Sequence, residues 1–200
     1  MTRIPQDVIK RIVEIFDNSE PYSTKLRMKK VRSDKALQLV TPYLPSEIRN
    51  RRFVGGNMYE HDKPYLPHVD RQDSWGDDSI VVVIPLRYSD SEPRLVVFDQ
   101  TYNKGPITWC MNLPALNFDV NRGESGRPYD SKDVNGLSHK PISDELYGHL
   151  NHFDKDLWFG LTGETYGFTP GNIIAFNSNR IHATANFTGV KLGLTLRYGA

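Results

Sequence analysis

Seven short runs of β-branched and aromatic residues, separated by Gly, Pro and Asp, constrain this chain more than any other feature. They are RFVGGNMYEH (52–61), SIVVVIPLRY (79–88), RLVVFDQ (94–100), ITWCM (107–111), NIIAFNS (172–178), RIHATANF (180–187) and VKLGLTLRY (190–198). Short strands with turn signals between them predict a mainly β sandwich, barrel or jelly roll. Ahead of them, Ile4, Val8, Ile12 and Ile15 recur at three- and four-residue spacing in IPQDVIKRIVEIF, the stripe of an amphipathic helix that must back onto something apolar. Two hundred residues suit a single core. The expected organisation is one domain: helical support over 1–50, β core over 51–111 and 170–198, and an insertion or lid over 112–169.

That insertion is where the strand signal lapses. NRGESGRPYDSKDVNGLSHKP is polar and rich in turn residues, and SDELYGHLNHFDKDLWF reads as a helix with Ser143 as its N-cap and Asp144 and Glu145 in its first turn. Long ordered insertions tend to be lids or binding loops. Trimming this one is expected to impair a primary substrate more than a cosubstrate.

A net charge of +1 supplies no overall field that would draw nucleic acid or an anionic membrane. The single cysteine, Cys110, has no intrachain partner and reads as a buried small hydrophobe. The opening residues lack the apolar core of a signal peptide, and the longest apolar runs fall far short of the ~20 residues that span a bilayer. A soluble, cytoplasmic protein is the expectation. Nothing in the sequence sets an oligomeric state.

Two His-x-Asp triplets occur, His68-Val69-Asp70 and His152-Phe153-Asp154. Chance alone gives about one such triplet for every two chains of this composition, so geometry has to separate them. On a strand, residues i and i+2 face the same way about 6.7 Å apart, whereas on a helix that spacing turns them roughly 200° apart. His152 and Asp154 fall in the expected helix and read as solvated surface. His68 and Asp70 follow Pro64 and Pro67, which bias the preceding residues away from helix, so their side chains are free to converge on a metal. Two His and one carboxylate on one face, with open positions, suit non-haem Fe(II). His182, at the head of a late strand, is the candidate third ligand, although taken alone it reads more readily as an ordinary core or turn histidine.

In VKLGLTLRY, alternation puts Lys191, Gly193, Thr195 and Arg197 on one face and Leu192, Leu194 and Leu196 on the other. If the leucines pack inward on the protein, Lys191 lines a concavity and requires an anion, which a bound carboxylate would supply. If the faces are reversed, Lys191 reaches solvent.

Taken together, His68-x-Asp70, His182, Lys191 nine positions later and then Thr195 resemble the Fe(II)- and 2-oxoglutarate-dependent dioxygenases, most closely their prolyl-hydroxylase-like branch. The resemblance covers roughly residues 50–198. It implies a double-stranded β-helix, a distorted cupin-like jelly roll, with flanking helices and an iron site at its open end. His68, Asp70 and His182 would hold Fe(II), and Lys191 would pair with the C5 carboxylate of 2-oxoglutarate. Tyr59 matches a tyrosine that helps hold the cosubstrate, though one residue closer to the triplet than in relatives, and Thr195 and Tyr65 sit at family-like positions. Lys stands where many members of this branch have Arg, which trades a fork for a point charge.

The activity implied is oxidation of a small-molecule or peptidyl substrate, for example an amino acid or a peptidyl proline, by O2 with release of succinate and CO2. Halogenating relatives lack the carboxylate ligand, so Asp70 favours hydroxylation or desaturation. Candidate substrate contacts are Arg197 on the lysine strand, Trp109 and Asn112 at the entrance, and Arg122, Arg127 and Tyr129 in the insertion. The competing readings are a cupin-like metalloenzyme that ignores 2-oxoglutarate, for which Lys191 would be irrelevant, and a non-catalytic jelly-roll binding module.

Overall fold

The computed structural model describes residues 3–22, 28–64, 67–70, 73–76, 78–102, 107–108 and 134–200. Two antiparallel sheets face each other. The strands are β1 (Met28–Arg32), β2 (Arg52–His61), β3 (His68–Val69), β4 (Ile80–Tyr88), β5 (Arg94–Tyr102), β6 (Ile107–Thr108), β7 (Val134–Asn135), β8 (Gly163–Gly167), β9 (Ile174–Asn177), β10 (Arg180–Thr184) and β11 (Lys191–Gly199). One sheet runs β1-β2-β11-β4-β9; the other runs β6-β3-β10-β5-β7, with β8 also paired to β5.

The period-2 alternation of strands explains the layers. On β4, Val81 and Val83 meet Leu95 and Val97 of β5 between the sheets, together with Phe168, Ile174 and Phe176. The opposite face of β4, Val82, Ile84 and Leu86, joins Leu192, Leu194 and Leu196 of β11 beneath the helices. The opposite face of β5, Val96 and Phe98, packs on Leu146, Leu150, Phe153, Trp158 and Leu161. Because β4 and β5 are buried on both faces, their sequences read as continuous apolar runs.

Helix α1 (Gln6–Asp17) buries Val8, Ile9, Ile12 and Phe16. Ile15 only flanks this cluster, and Ile4 is buried just before the helix begins after Pro5. Helices α2 (Asp34–Val40) and α3 (Ser46–Arg49) complete the cover, so the N-terminal segment is helical support with one strand, β1, added to the sheet edge. No described helix is long and apolar enough to cross a membrane.

The stretch expected to be an insertion also contributes to the sheets. Its described part, from residue 134, supplies β7 and β8, and β8 pairs with β5 from Arg94↔Gly167 to Phe98↔Gly163. GETYG was missed because two glycines and a glutamate hide a strand signal that only the pairing with β5 restores.

The helix expected over 143–159 is corrected in length. Ser143 does cap α4 (Asp144–Gly148), accepting from the Leu146 N–H, but the helix stops there. The His149 carbonyl accepts instead from the Asn186 N–H at 2.7 Å, and a single 3-10 turn follows at Lys155–Trp158. The second triplet therefore lies in a turn rather than on a helix, and His152 is not solvated: its ring nitrogens are buried without a hydrogen-bond partner and burial lowers its pKa to about 4. Asp154 points away to cap the 3-10 turn through the Asp156 N–H.

Candidate metal centre

β3 and β10 are neighbours, and their register puts His68 opposite His182. The two imidazoles stand 4.1 Å apart, centroid to centroid. Asp70 follows His68 by two residues and is anchored through its own N–H to the Ser178 carbonyl at 3.2 Å. One potential ligand atom from each of His68, Asp70 and His182 lies within 4.8 Å of the others, and this is the sole such group of three or more ligating side chains among the described residues.

The surroundings fix the orientation of these groups. His182 lies with Nδ1 3.1 Å from the Arg180 carbonyl. A carbonyl only accepts, so that contact puts the proton on Nδ1 and leaves Nε2 as a lone-pair donor, 3.7 Å from Asp70 Oδ2. Burial, and then the neighbouring His68, lower the His182 pKa to about 3, so the ring is neutral as a ligand must be. Burial pushes the Asp70 carboxyl up, but the Arg197 guanidinium, with His68 and His182, outweighs it and holds Asp70 well below the usual carboxylate range. Arg197 Nη2 donates to Asp70 Oδ1 at 2.8 Å, leaving Oδ2 on the histidine side. Arg197, expected as a substrate contact, thus grips the carboxylate of the triad, with its guanidinium 6.0 Å from the Trp75 ring centroid.

A cavity of about 170 Å3 runs from this triad along β11 to Lys191. The leucine face of β11 is buried under the helices, which turns Lys191, Thr195 and Arg197 into the cavity. Lys191 is only 3% exposed. Its ammonium donates to Thr184 Oγ1 at 2.7 Å and lies 4.8 and 5.6 Å from the Phe168 and Phe187 ring centroids. No carboxylate pairs with it among the described residues, and burial alone lowers its pKa to about 7. Thr184 is two residues beyond His182 on β10, so the lysine contact sits about 6.7 Å along the strand from a metal-ligand position, on the same face.

Tyr59 and Thr195 meet on this wall, where the Thr195 hydroxyl donates to the Tyr59 oxygen at 2.8 Å. Burial raises the Tyr59 pKa, so the phenol stays protonated. Gly193, opposite Tyr59 in the register, keeps this wall open: a Cβ there would stand 3.0 Å from the Phe168 ring.

Sequence reasoning missed Thr184 and His61. His61 shares the face of Tyr59, two residues away, and pairs in register with Lys191; burial, and then the lysine charge, lower its pKa to about 2. The i, i+2 rule identifies His61 as a cavity residue once Tyr59 is placed, whereas Thr184 needs the β10–β11 juxtaposition. Trp109, Arg122, Arg127 and Tyr129, with Tyr65, Cys110 and Asn112, lie outside the described residues.

Comparison with solved structures bears on this arrangement. The chain superposes on HygX from Streptomyces hygroscopicus, solved with nickel, 2-oxoglutarate and hygromycin B, with a TM-score of 0.54 at 11% identity over 99% of this chain and 80% of that one. It also superposes on SnoN, a non-haem α-ketoglutarate-dependent epimerase from nogalamycin biosynthesis, with a TM-score of 0.53 at 9% identity over 96% and 74% of the two chains. This is the fold of the Fe(II)- and 2-oxoglutarate-dependent oxygenases. EctD from S. alaskensis, solved in its apo form, superposes with a TM-score of 0.50 at 15% identity, over 98% of this chain and 70% of that one. No family model and no curated protein sequence matches the chain. At these identities the likeness to the oxygenases is one of fold, and any common chemistry has to be argued from the residues.

Proposed function

We propose that this protein is a 2-oxoglutarate-dependent non-haem iron oxygenase that hydroxylates a small molecule. The observation that carries the reading is the pairing of two features in one cavity: a two-histidine, one-carboxylate triad, and a buried ammonium with no anion of its own. The donor set suits Fe(II), because neutral imidazole and carboxylate together favour it and three ligands leave coordination positions open. A cupin-like enzyme that ignores 2-oxoglutarate has no use for a lysine buried at such cost.

His68, Asp70 and His182 would hold the iron, whose chemistry with 2-oxoglutarate and O2 is the oxidation of an unactivated carbon with release of succinate and CO2. The chain's own contribution is positioning and exclusion. Arg197 holds the Asp70 carboxylate so that Oδ2 stays on the metal side, and the Arg180 carbonyl holds the His182 tautomer. Lys191, steadied by Thr184, takes the far carboxylate of 2-oxoglutarate, while Phe168 and Phe187 exclude the water that would screen that pair. The Tyr59 and Thr195 hydroxyls offer hydrogen bonds along the wall between.

The test is an anaerobic titration of Fe(II)-loaded protein with 2-oxoglutarate. The expected result is metal-dependent binding, lost in Lys191→Ala, followed by succinate release on admitting O2. Binding of iron without any 2-oxoglutarate would favour the cupin-like alternative, and binding of neither would favour a non-catalytic module.

A further inference from the structure

A second and wider cavity, about 530 Å3, opens beside the first and shares Asn57, Asp70 and Arg197 with it. Its size falls within the ~300–1,000 Å3 usual for small-molecule sites. The remaining lining is divided by chemistry. Phe53 and Trp75 supply apolar surface, Gly55 brings bare backbone to the wall, and Arg32 and Asp34 supply one charge of each sign.

Those two charges carry the argument. Arg32 ends β1 and Asp34 begins α2, two residues apart, yet they form no ion pair with each other, and neither side chain has an ion pair or hydrogen bond among the described residues. Arg197 and Asp70, the other charges on the wall, already neutralise each other. The cavity is therefore neutral overall but presents one unused cation and one unused anion. Both side chains are exposed and hydrated, so selection comes from complementarity: a guest with one charge of each sign meets both, whereas a singly charged or neutral guest meets one or neither. Tyr22 adds a polar contact by donating to Asn57 Oδ1 at 2.6 Å, which leaves the Asn57 amide N–H groups as donors at the junction of the two cavities.

We infer that this cavity binds a small zwitterion, with its carboxylate on Arg32, its ammonium on Asp34 and its carbon skeleton against Phe53 and Trp75, at the Asp70 side of the metal centre. That the bound molecule is then hydroxylated rests on the function proposed above; the binding itself does not, because its anchors are protein side chains.

The experiment uses the full chain and saturation-transfer NMR, with the protein amino acids and glycyl dipeptides as probes and their N-acetyl and methyl-ester counterparts as controls. It is run on metal-free protein and on protein loaded with nickel and 2-oxoglutarate. The expected result is that at least one free zwitterion binds, and that blocking either charge weakens it about tenfold. Arg32→Gln is expected to erase the discrimination against methyl esters, and Asp34→Asn that against N-acetyl forms. A merely structural role for Asp34 in the first turn of α2 would move the melting temperature without changing selectivity, which overturns the assignment. So does the absence of binding by any probe at millimolar concentration, or equal binding by the blocked forms. Failure of 2-oxoglutarate to bind metal-loaded protein, with zwitterion selectivity intact, would instead remove the oxygenase reading and leave this site standing.

Discussion

At one end of the inner cavity, Asp70 lies between Arg197 and His182, and each of these charged or polar groups has a partner within the protein. At the other end, Lys191 is equally buried but has only a hydroxyl and two aromatic faces. The first arrangement lets the ligands keep their geometry before any metal arrives, because the charge of Asp70 is already compensated. The second leaves a desolvated charge that either an incoming anion or loss of the proton would relieve. Such a lysine costs the folded chain stability, which agrees with the anion-binding role proposed for it.

Breaking the compensated end has the largest expected consequence. Asp70→Ala removes a ligand and strands Arg197, so metal binding and 2-oxoglutarate turnover should both fall to background, as read by metal titration and succinate assay. Loss of turnover with unchanged metal affinity would mean that the ion sits elsewhere.

Breaking the uncompensated end should separate the two ligands. Lys191→Ala is expected to weaken 2-oxoglutarate by about thirty- to several-thousand-fold, corresponding to 2–5 kcal/mol for one truncated partner of a buried pair, while metal affinity holds. Lys191→Arg should restore part of the binding, since the charge survives in a different shape. A pH series sharpens the point. The lysine titrates at 10.5 when unfolded and at about 7 in its buried place. Between those values the unfolded chain binds the extra proton, so the stability of the metal- and cosubstrate-free protein should rise with pH, by up to about 1.4 kcal/mol per unit. Below pH 7 both states are protonated and the full penalty remains. Denaturant melts of wild type against Lys191→Met read this directly, because the variant should lose that contribution and be the more stable of the two at neutral pH. Over the same window 2-oxoglutarate affinity should fall as pH rises, since the anion requires the ammonium, and Lys191→Arg should flatten the fall.

A smaller effect is expected at Arg197, which touches the triad only through Asp70. Arg197→Met should weaken metal binding by about 10–100-fold, the usual cost of losing a group that orients a ligand. An unchanged metal affinity would mean that Asp70 is held by its backbone alone. The smallest effect belongs to Thr195→Val. It removes one hydrogen bond to Tyr59 and should change 2-oxoglutarate affinity by about two- to tenfold, measured by calorimetry.

Strand-forming runs, the leucine face of β11 and the pairing of His68 with Asp70 were legible in the chain because they depend on local periodicity. The α4 segment was read too long, since its hydrophobic residues Leu146, Leu150, Phe153 and Trp158 fit a helical stripe well enough while their true spacing serves the outer face of β5. Strand β8 was invisible for the converse reason: GETYG has weak intrinsic preference and forms because an edge of β5 is available.

By itself the sequence determined which residues share a face: His68 with Asp70, Lys191 with Thr195 and Arg197, and Leu192 with Leu194 and Leu196. That follows from the two-residue repeat of a strand, a property of the backbone alone. Only the tertiary structure decided what each face meets. It brought His182 opposite His68 through the β3–β10 register, gave Arg197 to Asp70, and placed Thr184 rather than a carboxylate beside Lys191. These partners come from strands up to 127 residues apart in the chain. Their meeting is set by sheet pairing and core packing, which act through space and leave no spacing in the sequence to read.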